Sequence, residues 1–156
     1  MPHKNEDYFH EWMQLATAPR KALLIDDNKH ECEVIVRNSS GFNVTWEVCY
    51  TGSHALEKLD AACASYSLAV MDLRLNDVPE GVQLFREIKK RCPNLPVVIL
   101  SGFITNDVIM EITRIGFAMF AQKPSAFDSQ FFQQLFQILG IPKVRPGLEQ
   151  NIVGNI

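Results

Sequence analysis

Leu68-Ala69-Val70-Met71 is an unbroken apolar run that stops abruptly at Asp72. A run this short, with Ser67 before it and polar residues after it, has the form of a strand buried on both faces, as inside a parallel sheet. Asp72 then stands at the carboxyl end of that strand, the edge where open α/β sheets bind ligands. An isolated carboxylate in apolar surroundings is costly, so an acid there needs a cation, a partner or a chemical role. Taken alone, an aspartate after a strand is more often a cap on the next turn. The rest of the chain shifts that balance.

The same pattern recurs. Residues 22–25 form an apolar run that ends in Asp26-Asp27-Asn28. Residues 44–50 alternate and are rich in β-branched and aromatic side chains, which marks a second strand. Residues 97–100 run into Ser101-Gly102, and 117–121 run toward Lys123-Pro124. Helical periodicity fills the gaps: 31–40 closed by Gly41, 53–64 capped by Thr51 or Ser53, 81–91, 105–115 stopped by Gly116, and 127–139. Five strands alternating with five helices predict an α/β fold, a doubly wound five-stranded parallel sheet with right-handed crossovers. Before it, Tyr8, Phe9, Trp12, Met13 and Leu15 recur at helical spacing ahead of Pro19. The predicted organisation is an N-terminal extension over 1–20 that is helical in part, a folded domain over 21–140, and a tail over 141–156.

A chain of 156 residues with 47% apolar and 21% charged residues suits one soluble domain with a good core. Its net charge of −3 gives no general attraction to nucleic acid or anionic membranes. No apolar run is long enough to span a bilayer, and the polar N-terminus lacks a signal core; a cytoplasmic protein without membrane contact is expected. Cys32, Cys49, Cys63 and Cys92 are widely spread, with no C-x-x-C pair. They read as reduced thiols and not as a zinc site.

Parallel strands bring their carboxyl ends to one edge, so Asp26, Asp27, Asp72, Ser101 and Lys123 converge. Here the chain resembles the receiver domain of two-component response regulators, through Ile25-Asp26-Asp27, Met71-Asp72-Leu73, Leu100-Ser101-Gly102 and Gln122-Lys123-Pro124. Gly52-Ser53-His54-Ala55-Leu56 and Gly81-Val82-Gln83-Leu84 match two glycine-led helix starts of that family. The resemblance covers about residues 20–140 and implies the flavodoxin-like, CheY-like strand order 2-1-3-4-5.

The chemistry is coherent in its own right. Two carboxylates ~4 Å apart repel by roughly 4 kcal/mol at an effective dielectric near 20, so three need a cation. All-oxygen ligands with water positions suit Mg²⁺. The resemblance implies Asp26, Asp27, Asp72 and the carbonyl of Arg74 as metal ligands, Asp26 partly through water. It implies Asp72 as the nucleophile that becomes an aspartyl phosphate, Lys123 as a charge on the phosphoryl oxygens, and Ser101 as a hydrogen-bond donor to one of them. Ser101 and Phe120 would form the switch. Ser101 stands where threonine is common, Phe120 where a tyrosine is frequent, and Ser125 where an apolar residue is usual. The Lys123-Pro124 bond is cis in the family.

The expected function is a stand-alone phosphoreceiver of a phosphorelay, a switch and not an enzyme in the ordinary sense. A sensor histidine kinase or a histidine phosphotransfer protein would charge it, and an unknown downstream protein would read it. The alternative is a pseudo-receiver, a binding module that is not phosphorylated. No helix-turn-helix follows the fifth helix, so direct DNA binding is not expected. The predicted partner face lies on helix five, with helix four and strand five beside it. Phe127, Phe131, Leu135, Ile138 and Leu139 make a core stripe, and Phe132 and Phe136 widen it on a helix otherwise poor in charge, as interface cores are. A wide stripe covered by the tail or the N-terminal helix is the competing reading. The charge-poor helix counts against the family's ion-paired dimer, while a homodimer of another kind stays open.

Overall fold

The computed structural model describes residues 20–75, 81–123 and 128–143. The predicted N-terminal helix, Pro124, Ser125, Phe127 and the tail beyond 143 lie outside the described residues. Among the described residues there are five strands: β1 (Arg20–Ile25), β2 (Val44–Cys49), β3 (Tyr66–Asp72), β4 (Val97–Ser101) and β5 (Met119–Gln122). They alternate with α1 (Lys29–Asn38), α2 (Gly52–Ala62), α3 (Gly81–Arg91), α4 (Asn106–Ile115) and α5 (Ser129–Ile138), with a 3₁₀ turn at Cys63–Ser65.

Among these five strands every pairing is parallel, and the sheet order is β2-β1-β3-β4-β5. The period of two along each strand sorts side chains into two cores. Leu23, Ile25, Ala69, Met71, Val97 and Ile99 face α2, α3 and α4, meeting Leu56, Leu59, Leu84, Phe85, Ile88 and Ile112. Ala22, Leu24, Leu68, Val70, Val98 and Leu100 face α1 and α5, meeting Ile35, Phe132, Leu135 and Phe136. On that second side the Trp46 indole N–H donates to Ser39 Oγ at 2.7 Å. Its rings lie edge-on to Phe132 and tilted against Phe136.

Side-chain caps set where the helices begin. Asn28, Thr51, Thr105 and Asp128 each accept a backbone N–H from the first turn that follows. The Asn28 cap starts α1 at Lys29, two residues before the apolar periodicity implies. Strand β5 begins at Met119 and not at Phe117, whose side chain is 73% exposed. Gly81, at the start of α3, has φ +35°, and a Cβ there would stand 2.7 Å from the Leu73 carbonyl oxygen. Only glycine lets α3 lie this close to the residue after Asp72.

The cysteines are not all free thiols. Cys63 and Cys92 form a disulfide across 29 residues, while Cys32 and Cys49 are free and buried. The expectation of four reduced thiols is corrected here. The two partners follow the C-terminal ends of α2 and α3, which pack side by side, a proximity that linear spacing does not reveal.

Candidate functional site

The carboxyl ends of β1 and β3 lie side by side, since Ile25 pairs with Met71. Asp26 and Asp72 therefore emerge together, both buried, with the half-buried Asp27 beside them. One oxygen from each of the three lies within 4.8 Å of the others. Local backbone bonds fix the rotamers of two of them: Asp26 Oδ1 accepts from Asn28 N at 3.0 Å and Asp72 Oδ1 from Arg74 N at 2.9 Å. Arg74 thus meets the site through its backbone, and its side chain is exposed.

Lys123 arrives from the end of β5. Its backbone N–H extends the ladder to Ser101 O at 2.9 Å. Its ammonium lies 3.2 Å from Asp26 Oδ2, 3.0 Å from Asp72 Oδ2 and 2.5 Å from Glu31 Oε2. Burial disfavours its charge, but Glu31 and Asp72 outweigh that and hold the ammonium above the ordinary lysine range. Burial acts in the opposite sense on Asp26. It raises the carboxyl to about 6 although the Asn28 N–H and Lys123 lower it, and Asp72 and Glu31 add to the rise.

Ser101 is buried, and its hydroxyl donates to Phe103 O at 2.9 Å. Phe120 is half-buried and packs on the α2, α3 and α4 side of the sheet. The structure thus brings together Asp26, Asp27, Asp72 and Lys123, with Ser101 and the Arg74 backbone at the rim.

The family described as the response regulator receiver domain matches residues 22–133. The chain belongs to that family. Relatives of this receiver domain include the transcriptional regulatory protein ZraR of Klebsiella oxytoca, 26% identical over 106 residues, which are 68% of this chain and 23% of that protein. Another is the transcriptional regulatory protein GlrR of Escherichia coli, 29% identical over 115 residues, 72% of this chain and 25% of that protein. The receiver domain spans about a quarter of the length of these curated relatives. Among solved structures, a CheY-like receiver domain from Methanospirillum hungatei superposes with a TM-score of 0.69 at 17% identity, covering 79% of this chain and 95% of that one. Vibrio cholerae CheY4 gives 0.66 at 19% identity, covering 78% and 99%. At such identities the structural likeness shows the fold, and the fold agrees with the observed strand order.

Two results in the receiver domain depart from expectation. Phe132 and Phe136 are fully buried and do not form a partner face. Phe42, Trp46 and Ile141 share their core, and the Phe42 and Phe136 ring centroids are 4.8 Å apart. The width of the apolar stripe on α5 is therefore core, and the exposed apolar residue there is Ile138, at 74%. The second result is Glu31, a fourth acid at the site. The sequence pattern places it only in a helix. Its signal was the spacing Asn28-Lys29-His30-Glu31, which puts it in the first turn of α1, directly after the Asp26-Asp27 pair.

The donor set fits a hard divalent cation: clustered carboxylate oxygens, two of them on buried residues, suit Mg²⁺ better than a softer metal. Among the described residues no helix is long and apolar enough to cross a membrane.

Proposed function

We propose that this receiver domain is a phosphorylation switch in which Asp72 accepts a phosphoryl group. The carrying observation is the placement of Asp72: buried at the end of the central strand, between two further carboxylates and 3.0 Å from Lys123. One oxygen of Asp72 is committed to Arg74 N, while the other faces Lys123, so the attacking oxygen is the one beside the ammonium. That oxygen forms the new bond to phosphorus. The bond from phosphorus to the donor's nitrogen or oxygen breaks, and the donor leaves with that electron pair, as neutral imidazole from a protonated phosphohistidine or as acetate from acetyl phosphate. Lys123 then offsets charge on the transferred group.

Asp26, Asp27, Asp72 and the Arg74 carbonyl would hold Mg²⁺, which when bound supplies charge neutralisation and alignment of the phosphoryl oxygens. The donor fits a phosphohistidine on a kinase or a phosphotransfer protein. The domain carries no turnover chemistry of its own beyond assisting phosphoryl gain and loss.

The output is a protein contact and not direct DNA binding, in keeping with the net charge of −3. Its surface is α4 with the segments around it. Of the large apolar residues exposed among the described residues, Phe103, Met110 and Phe117 precede, occupy and follow this helix. Ser101, whose hydroxyl engages Phe103 in this state, links that loop to the phosphoacceptor: drawing the hydroxyl inward releases the loop and lets Phe120 repack.

The decisive experiment is incubation with acetyl phosphate and Mg²⁺ followed by intact mass. The wild type should gain one phosphate and Asp72→Asn none. A wild type that gains none under saturating donor would leave a binding module that is not phosphorylated.

A further inference from the structure

The spacing Asn28-Lys29-His30-Glu31 has the form of a capping box, in which an acid three residues after the cap bonds back to the cap's own N–H. Half of that box is present: Asn28 Oδ1 accepts Glu31 N at 3.1 Å. The reciprocal half is not made. The Asn28 N–H is taken by Asp26 Oδ1 at 3.0 Å. Glu31 instead sends its carboxylate inward to Lys123 Nζ at 2.5 Å, the shortest of the three carboxylate contacts to that ammonium.

An ammonium has three N–H donors. Here Asp26, Glu31 and Asp72 engage that group together. A phosphoryl oxygen that needs Lys123 must displace one of them. Asp72 carries the phosphoryl group and Asp26 is the more deeply enclosed, with 1% side-chain exposure against 26% for Glu31. Glu31 also has the longer side chain and sits in the first turn of a surface helix. It is the partner that can swing out to water.

We propose, building on the phosphoacceptor reading, that Glu31 is a positioning residue: a resting-state latch that holds Lys123 and opposes its transfer to the phosphoryl group. The latch favours the unphosphorylated state, because each phosphorylation gives up the Glu31–Lys123 pair. A ligand's apparent affinity falls by the share of protein held in the non-competent arrangement.

The test uses beryllofluoride, a phosphoryl mimic, titrated by calorimetry into the full chain at saturating Mg²⁺. Glu31→Gln and Glu31→Ala should each bind it roughly tenfold more tightly than wild type, a difference of about 1.4 kcal/mol. Glu33→Gln, two residues further along α1 and exposed, should match the wild type. Mg²⁺ affinity without beryllofluoride should change by less than about threefold in both Glu31 variants. A structural lesion would weaken binding, so the sign of the change separates the two roles. Equal or weaker beryllofluoride binding in both Glu31 variants overturns the latch. So does a large loss of Mg²⁺ affinity, which would make Glu31 a metal-holding residue. Wild type that binds no beryllofluoride while Asp72→Asn behaves identically overturns the phosphoacceptor reading itself, a result distinct from failure of the latch.

Discussion

At the scale of single residues, the site is held at a cost to stability. Asp26 titrates near 6 in the folded chain against an ordinary 3.8, because burial penalises its charge more than Asn28 and Lys123 favour it. The folded state therefore binds more protons than the unfolded state between those two values, and stability falls as pH rises through them. Above about 6 the whole penalty is present. In chelator at pH 7.5, Asp26→Asn should accordingly be more stable than wild type by about 2 kcal/mol. Below pH 4 the advantage should vanish, and saturating Mg²⁺ should remove it by stabilising the wild type alone. Denaturant melts at the two pH values, with and without Mg²⁺, check this; an advantage independent of pH would reject the account. The acids, Ser101 and Lys123 were legible in the sequence because strand ends are fixed by apolar runs and parallel pairing puts those ends together. Glu31 was not, because its role depends on which acceptor wins the Asn28 N–H, a competition that spacing alone does not decide.

At the scale of elements, α3 and α5 make separate predictions. Alanine at Gly81 would drive a Cβ to 2.7 Å from the Leu73 carbonyl at a positive φ. The backbone must then shift, at a cost of about 1–3 kcal/mol. Since Leu73 follows Asp72, Gly81→Ala should weaken the thermal response to Mg²⁺ as well as lower the melting temperature. A variant with wild-type melting and Mg²⁺ response would show that the contact relaxes freely. On α5, Phe136→Ala should cost about 3–5 kcal/mol as a cavity-forming change, whereas Ile138→Lys should stay within about 0.5 kcal/mol. Equilibrium denaturation distinguishes them directly. The error over Phe132 and Phe136 has a physical source. Charge depletion marks interface cores and protein cores alike, and the groups that cover this stripe, Phe42, Trp46 and Ile141, come from a loop, an edge strand and the chain after α5. Periodicity on one helix carries no trace of them.

At the scale of the whole molecule, the sheet has two unlike ends. The acids collect where the strands finish, while Cys63 and Cys92 are joined just before β3 and β4 begin. Closing a loop of this length stabilises by about 3–4 kcal/mol in the chain-entropy picture. Cys63→Ser should therefore melt lower than wild type without reductant and equally with it, while Mg²⁺ affinity stays the same in both. Coupled loss of Mg²⁺ affinity would show that the two ends communicate. The strand order was legible because five apolar runs and five amphipathic stretches admit few topologies; the disulfide was not, because it depends on helix packing. Trp46 adds an optical consequence. Its indole is bonded to Ser39 and enclosed by Phe132 and Phe136, on an edge strand and away from the acidic pocket. In a Trp12→Phe background its emission would follow unfolding faithfully, yet stay dark to Mg²⁺ at concentrations that fill the site. A silent fluorescence titration of that variant is thus the mark of where its one tryptophan sits, and occupancy has to be read by heat or by mass.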